Sequence, residues 1–546
     1  MIYNFTRTIL MDALSKLGVD NVQIILEKPK NSDFGDLSTN IAMQLAKQLK
    51  KAPRLIAQDL IDNLNIDNNF VQKVEIAGAG FINFWFSPFF FQKMLSDISI
   101  ASENYGKQTI GNGQKVLVEY VSANPTGMLH IGHGRNGVIG DTLANLYDFL
   151  GYDVTREYYF NNAGNQMRNL AKSVYVRYRQ LTDAPDFEMP EDGYFAEYII
   201  EIAKKYIVEN GTEFIEQNDK NLQKFQKFAE IINFENIKKT LIDLNIHQDT
   251  YFNENHLYES GKIQALLDKL KVKDLIYEKE DALWLRLSAL GLENDRVAVK
   301  STGEPTYRLP DIAYHIEKFE RGYDKIVDIF GSDHIATIPD VIAVVKALGY
   351  DTDRIDVVIH QFITLTENGQ QVKMSKRSGK SYTLDELIEE VGADVVRFFL
   401  LMRGVNTHLE FDLNLAKEQS DKNPVFYLQY AHARICSIFE KIEKGNIQVK
   451  FSNNLSGINE SVEFELIKKL AEFPYIIQDA TKNAEPHILS DYLRELASIF
   501  HNFYHNCRII GEEALIMSGR LALATATKNI IANGLNILGI SSPEKM

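Results

Sequence analysis

Two short stretches of the chain carry residue types suited to handling phosphate. In the first, Ser122-Ala-Asn-Pro-Thr-Gly-Met-Leu-His-Ile-Gly-His133, the imidazoles of His130 and His133 stand three residues apart. On a first helical turn both would reach the same side. The stretch follows a β-branched run, Lys115-Val-Leu-Val-Glu-Tyr120, and precedes helical patterning over about 132–150. A strand-to-helix turn directs free backbone N–H groups and the positive end of the helix dipole at whatever binds there, which makes it an anion site. Gly127, Gly132 and Gly134 would let a ligand approach the main chain closely. The second stretch, Lys373-Met-Ser-Lys-Arg-Ser-Gly-Lys380, holds four cations in eight residues. Lysine is a compact point charge that can follow a departing pyrophosphate.

Each stretch also has a plainer reading. A glycine-rich turn can be only a tight turn, and a basic loop on its own is more readily a solvated one. His-x-x-His could be half of a zinc site, but no third ligand of suitable spacing is evident and cysteines are scarce, so no metal is expected. Gly379-Lys-Ser381 is not a P-loop, because Met374 stands where the earlier glycine must be. No dinucleotide fingerprint follows a strand.

The elements that would position these residues follow from periodicity. The strand at 115–120, the helix after it and a second strand at 154–159 predict a parallel α/β sheet. Residues 180 to about 280 read as a mostly helical, charged insertion in that sheet domain. The sheet pattern then resumes near Arg296-Val-Ala-Val-Lys300, with further strands at 326–330 and 356–360. Ahead of this lies a first unit. It opens with an amphipathic helix presenting Ile2, Phe5, Ile9 and Leu10, continues with a helix over 41–51, and closes with strands around a glycine turn at 74–86. Residues 106–113 read as a linker. From about Leu413 the period is helical, with Tyr427, Tyr430, Ala431 and Ile435 on one face. The expected division is 1–105, 106–412 and 413–546.

Bulk properties narrow the function classes. The 546 residues are 45% apolar and 24% charged, a globular balance with ample core. Two cysteines, Cys436 and Cys507, exclude a disulfide framework and suit a reducing cytoplasm. No apolar run approaches the length of a spanning helix, and the opening residues do not read as a signal peptide. A net charge of −15 argues against wholesale coating of nucleic acid but leaves local basic patches open. Composition alone favours a soluble metabolic enzyme.

Taken together, His130-Ile-Gly-His133 and Lys373-Met-Ser-Lys-Arg377 resemble the two signature motifs of class I aminoacyl-tRNA synthetases, letter for letter. The flanks resemble the arginine-specific family. They include Ser122 to Arg135, Glu157-Tyr-Tyr-Phe-Asn-Asn-Ala-Gly-Asn-Gln166, Thr306-Tyr-Arg-Leu-Pro-Asp-Ile-Ala-Tyr-His315 and Gly331-Ser-Asp-His334. Phe34-Gly-Asp-Leu-Ser-Thr-Asn40 and Gly80-Phe-Ile-Asn83 are similar to that family's N-terminal extension. Gln429-Tyr-Ala-His-Ala-Arg434 and the ending Pro543-Glu-Lys-Met546 are similar to its anticodon-binding bundle. Two positions depart from it, Asn162, where many relatives carry Asp, and Arg308, where an apolar or small residue is expected.

The resemblance implies an α/β fold with a Rossmann-like parallel-sheet catalytic domain, an N-terminal α+β domain and a C-terminal all-α anticodon-binding bundle. It implies an arginine–tRNA ligase using ATP, with magnesium accompanying the nucleotide and without zinc, acting on L-arginine and tRNA(Arg). A cytoplasmic monomer that often needs tRNA even for activation is expected. Glu119 and Asp311 would hold the guanidinium, Ser122 and Asn124 the amino acid's backbone groups, and Tyr307 would cover the side chain. His133 and Asp333 would also touch arginine. For ATP, His130 and His133 would meet the phosphates, and Gly127 and Gly132 would let the nucleotide approach. Gly331, Asp333 and His334 would flank the adenosine, and Lys373, Met374, Ser375, Lys376 and Arg377 would draw pyrophosphate away. The plainer reading of Glu119 alone is a pairing with a structural lysine. Phe34, Asn40, Asn83, Tyr427, Tyr430, Arg434 and Met546 are candidate tRNA contacts, although helical spacing favours a core position for Tyr430. A carboxylate pocket rejects lysine by leaving acceptors unpaired, so no editing domain is expected. Another class I synthetase, such as the cysteine or glutamate enzyme, or a non-catalytic RNA-binding relative, are the alternatives.

Overall fold

A computed structural model describes residues 2–29, 31–372, 382–449 and 452–546. The first unit contains α1 (Ile2–Lys16), β1 (Leu26–Glu27), β2 (Leu37–Thr39), α2 (Ile41–Leu49), α3 (Pro53–Asn63), β3 (Val71–Ala77), β4 (Phe81–Phe86) and α4 (Pro88–Ala101). Its antiparallel sheet runs β1-β2-β4-β3. Ile2, Ile9 and Leu10 are buried and Phe5 half-buried, as the period of α1 predicts. The hydroxyl of Ser87 caps α4 by accepting from the Phe90 amide at 3.2 Å, and Pro88 occupies the first turn, where its missing N–H is no loss.

The central sheet is built from β5 (Lys115–Glu119), β6 (Asp153–Phe160), β7 (Thr250–Asn253), β11 (Lys325–Gly331) and β12 (Ile355–His360), in the order β12-β11-β5-β6-β7 and parallel throughout. Between β5 and β6 runs α5 (Ile131–Phe149), most of whose residues are buried. Gly140 allows this closeness, since a Cβ there would stand 2.3 Å from Tyr120. After β6 come α6 (Gly164–Thr182), α7 (Glu197–Asn210) and α8 (Asp219–Asp243), with a core of their own that includes Tyr175, Tyr206 and Phe225.

Two sequence expectations are corrected here. The parallel sheet resumes at β7, inside the stretch read as insertion. Its four residues are too short to show a period and carry no turn signal. The run 296–300, expected in that sheet, instead forms β10 (Arg296–Val299), antiparallel to β9 (Ala282–Leu285), which pairs with β8 (Ile276–Lys279). This small sheet packs with α10 (Lys262–Val272), which follows α9 (Asn255–Glu259), and with α11 (Arg308–Glu320) and α12 (Ile338–Ala347) around a separate core. A β-branched run reports burial but not which sheet supplies its partner.

Beyond β12, β13 (Ile363–Glu367) pairs with β14 (Gln370–Gln371) and with β15 (Leu409–Asp412). Between them lie α13 (Leu384–Val391) and α14 (Ala393–Leu401). The chain then becomes helical, with α15 (Leu413–Lys417), α16 (Pro424–Lys444), α17 (Ser461–Lys482), α18 (His487–Asn506) and α19 (Ala514–Ile537). The first unit rests on this bundle: Phe91 stacks on Phe464 at 4.9 Å and Lys468 pairs with Asp36 at 2.8 Å. Among the described residues no helix is long and apolar enough to cross a membrane.

Candidate active site

Strand order reverses between β5 and β11, and in open parallel sheets ligands bind outside the carboxyl ends of the strands at such a reversal. A cavity of about 1190 Å³ opens there. It brings together Glu119, Ser122, Asn124, His130, Gly132, His133, Tyr307, Asp311, Gly331, Asp333 and His334, all singled out from sequence. Lys373, Met374, Ser375, Lys376 and Arg377 lie outside the described residues.

One wall is the start of α5. His130 is its N-cap. The His130 Nδ1 accepts from the amides of Gly132 at 3.1 Å and His133 at 3.4 Å, and the His133 Nδ1 accepts from the His130 amide at 3.3 Å. The rings stack with centroids 3.7 Å apart. With Nδ1 engaged as acceptor on both rings, the neutral form of each imidazole carries its hydrogen on Nε2. Gly132 lines the cavity, whereas Gly127 and Gly134 make packing contacts elsewhere. Gly127 is not part of the cavity wall, and a Cβ there would stand 2.9 Å from the Tyr198 hydroxyl. Gly134 instead lets Leu384 pack on α5, at 2.9 Å from an added Cβ.

The turn after β5 is strained. Val121 and Ser122 both adopt positive φ, 68° and 45°, which is a rare state for a β-branched residue. Asn136 on α5 holds it there. Its Oδ1 accepts from the Val121 amide at 2.6 Å, and its Nδ2 donates to the Ile329 carbonyl at 2.9 Å. The turn in turn aims Ser122, whose hydroxyl donates to Glu119 Oε1 at 2.9 Å and accepts from the Tyr159 amide at 3.2 Å. Asn124 accepts from the Asn161 amide at 3.1 Å and donates to Gln166 at 3.0 Å.

The opposite end is acidic. Asp311 is half-buried on α11, and among the described residues no side chain donates to its carboxylate. Burial pushes its pKa up to about 7, with Glu254 and Glu119 adding to the rise and His315 and Lys318 opposing it. Glu254 accepts from the Tyr159 hydroxyl at 2.6 Å and Asn161 at 2.9 Å, and its pKa is raised by burial despite these donors. Glu119 is buried, and its Oε2 accepts from Lys318 at 2.6 Å. The plainer reading of Glu119 is thus also true: it pairs with a buried lysine while lining the cavity. Tyr307 is 68% exposed at the rim. Arg308, unexpected for the family, is tied to Asp340 at 2.7 Å, and Asn162 is bonded to Glu230 and Asn255, each at 2.8 Å.

Sequence reasoning missed Glu254, Lys318, Tyr159 and Asn136. The i+7 spacing puts Lys318 on the same helical face as Asp311 but does not show that it is buried. Glu254 follows the short β7 and carries no local signal.

The candidate RNA contacts divide. Phe34 is exposed, and Asn40 accepts from Gln44 at 2.8 Å near the surface. Asn83 is only 3% exposed and accepts from the Ser38 hydroxyl at 2.6 Å, so it braces the sheet rather than facing solvent. Tyr430, expected in the core, is 38% exposed, with the Arg434 guanidinium 4.4 Å from its ring centroid. Tyr427 packs on His501 at 4.7 Å, and burial with Arg434 lowers the pKa of that imidazole to about 4. Met546 is exposed beside Phe426 and Gln429, at a second cavity of about 420 Å³. The tail leading to it is fixed by the contact of His432 Nδ1 with the Pro543 carbonyl, 2.9 Å, and by Gln429 donating to Ser541.

Family models match nearly the whole chain: the arginyl-tRNA synthetase N-terminal domain over 4–86, the catalytic domain of class I tRNA synthetases (R) over 94–398, and the DALR anticodon-binding domain over 428–546. The arginine–tRNA ligase of Salinibacter ruber is 47% identical, covering 100% of both chains, and that of Desulfotalea psychrophila is 46% identical over 98% of this chain and 99% of its own. The arginyl-tRNA synthetase of Thermus thermophilus shares the fold, with a TM-score of 0.78 at 21% identity over 100% of both chains. Matched by these models over nearly its whole length and by full-length relatives at 46–47% identity, the chain belongs to the class I arginyl-tRNA synthetases.

Proposed function

We propose that the chain activates L-arginine with ATP and transfers it to tRNA(Arg), with the cavity at the carboxyl ends of β5 and β11 as the site of both steps. The observation that carries this reading is the polarity of the cavity. Glu119, Asp311 and Glu254 converge at one end, and a helix N-terminus bearing His130 and His133 forms the other. A guanidinium presents a planar fork of donors that two carboxylates satisfy together, whereas an ammonium leaves acceptors unpaired.

Glu119 and Asp311 grip the guanidinium, Tyr307 closes over it, and Ser122 and Asn124 orient the α-amino and carboxyl groups. The arginine carboxylate then attacks the α-phosphorus. The new O–P bond forms as the bond to the β-phosphate oxygen breaks, and its electron pair leaves with pyrophosphate. His130 and His133 donate to phosphate oxygens as negative charge builds, a preorganised stabilisation that needs no rearrangement during the step. Gly132, Gly331, Asp333 and His334 border the nucleotide. Lys373, Lys376 and Arg377, with Met374 and Ser375, accompany the pyrophosphate. Magnesium enters with ATP, held largely by phosphate oxygens, and no zinc takes part. In the second step the terminal ribose hydroxyl of the tRNA attacks the adenylate carbonyl and AMP leaves. Tyr427, Tyr430, Arg434 and Met546 meet the anticodon, and Phe34 and Asn40 another part of the same tRNA. The enzyme acts as a monomer in the cytoplasm, and tRNA must be present for activation.

ATP–pyrophosphate exchange with each amino acid, with and without tRNA, tests the reading. Exchange with arginine alone among the amino acids is expected, and silence with every amino acid plus tRNA would leave only an RNA-binding role. Glu119→Gln should raise the arginine KM at least about tenfold, since a charge-assisted hydrogen bond is lost, while the ATP KM stays nearly constant.

A further inference from the structure

We infer that Lys318 is a positioning residue for arginine recognition, a buried ammonium that holds Glu119 in the orientation from which it receives the guanidinium. The inference rests on Glu119 serving arginine, as proposed above.

Lys318 is 0% exposed on α11, seven residues beyond Asp311 and on the same face. Its Nζ donates to Glu119 Oε2 and to Asp328 Oδ1, each at 2.6 Å, and lies 4.3 Å from the Tyr314 ring centroid. One ammonium thus joins the end of β5 to the middle of β11 beneath the cavity floor. The remaining Asp328 oxygen faces His315 Nε2 at 3.0 Å, and His315 Nδ1 faces the Asp311 carbonyl at 2.7 Å. The two residues proposed to take the guanidinium, Glu119 and Asp311, are therefore tied together through Lys318, Asp328 and His315.

This arrangement divides the work of the Glu119 carboxylate. Lys318 and the Ser122 hydroxyl take one position on each oxygen, and Glu119 itself lines the cavity. A carboxylate anchored at both oxygens cannot rotate away, so the guanidinium meets acceptors already in place. The surrounding charges make the ammonium necessary. From β6, Glu157 and Tyr159 face this group, and Glu157 is itself occupied by Arg321 in a paired contact at 2.6 and 2.7 Å. From β11 comes Asp328, from α11 come Asp311, Tyr314 and His315, and ahead of α9 lies Glu254. Without Lys318, buried carboxylates would face one another with no cation between them, and such a group takes up protons near neutral pH.

Lys318→Met keeps most of the side chain's length and removes its charge. At pH 7.5 the arginine KM in ATP–pyrophosphate exchange should rise about tenfold or more, and it should fall again as the pH is raised toward 9, because the orphaned carboxylates regain their charge. The ATP KM should change little. A merely structural lysine would lower Tm without giving the arginine KM this new pH profile. If Lys318→Met does not fold, Lys318→Met/Asp328→Asn, which removes the ammonium together with one of its carboxylates, carries the same measurement. An arginine KM and pH profile like the parent's in either folded variant overturns the inference, as does failure of both to fold, which would make the role structural. Glu119→Gln separates the two readings. If it leaves the arginine KM unchanged, the assignment of Glu119 falls. If it raises that KM while Lys318→Met does not, only the role of Lys318 falls.

Discussion

At the scale of single residues, Asp311 is the most informative group. Its carboxyl is pushed up to about 7 by burial and by the neighbouring carboxylates Glu254 and Glu119. An incoming guanidinium favours the charged form, so arginine binding expels a proton from the part of the population that still carries one. Arginine affinity should therefore climb as pH rises from about 6 and level off about one unit above the raised pKa. Titration calorimetry in buffers of different ionisation enthalpy should show proton release at pH 6.5 and little at pH 8.5. The same shift has a stability consequence, and its sign is fixed. The folded state binds a proton more tightly than the unfolded chain, so the stability contributed by protonated Asp311 is full below the ordinary carboxyl pKa of about 4, is lost as pH rises from there through the folded value, and is gone above it. Asp311→Asn should raise Tm at pH 8, by an amount on the order of 2–4 kcal/mol in stability. At pH 4 the gain should be small. Arginine binding should be lost at both.

At the scale of elements, the site depends on how tightly α5 lies against β5. Gly140 permits the contact and Asn136 uses it to hold the strained pair Val121–Ser122. This turn sets Glu119, Ser122 and Asn124, the residues proposed to hold arginine, relative to one another. Asn136→Ala should destabilise the protein by about 1–3 kcal/mol, because the buried Val121 N–H loses its acceptor. It should also raise the arginine KM more than the ATP KM, because the proposed ATP side is the capped turn of α5 itself. Denaturant unfolding together with exchange kinetics checks both parts. An equal rise in the two constants would mean that Asn136 only supports the fold.

At the scale of the molecule, one buried guanidinium gathers three regions. Arg397 on α14 donates to the Leu538 carbonyl after α19 at 2.7 Å, to the Leu244 and Asn245 carbonyls after α8 at 2.9 and 3.1 Å, and to Asp141 on α5 at 2.5 Å. Gly539 makes room for it, since a Cβ there would stand 2.2 Å from the guanidinium. The helical bundle, the inserted helices and the signature helix therefore share one junction. Arg397→Leu leaves Asp141 buried without its cation and should cost about 3–5 kcal/mol, read as a lowered midpoint in thermal or denaturant unfolding. If the junction also aligns the bundle with the active site, aminoacylation should fall further than arginine-dependent exchange.

The resemblance of its motif flanks to a known family singled out Glu119, Tyr307 and Asp311, whereas the chain's own pattern determined the class of fold and the strand-turn-helix that carries His130 and His133. Those are local properties, written in periods and spacings that survive whatever packs around them. The strands β7 and β10 were not legible as to sheet, because a short apolar run is the same on any sheet and its partner is chosen by packing. Lys318, Glu254 and Asn136 were passed over for a related reason. A lone Lys, Glu or Asn in a sequence carries no sign of its depth. Only the folded arrangement, which puts an ammonium between β5 and β11, an amide under a strained turn and a third carboxylate across from Asp311, gives those side chains their charge states and their partners. Burial and proximity over hundreds of residues of chain are tertiary facts, and the electrostatics of the site are built from them.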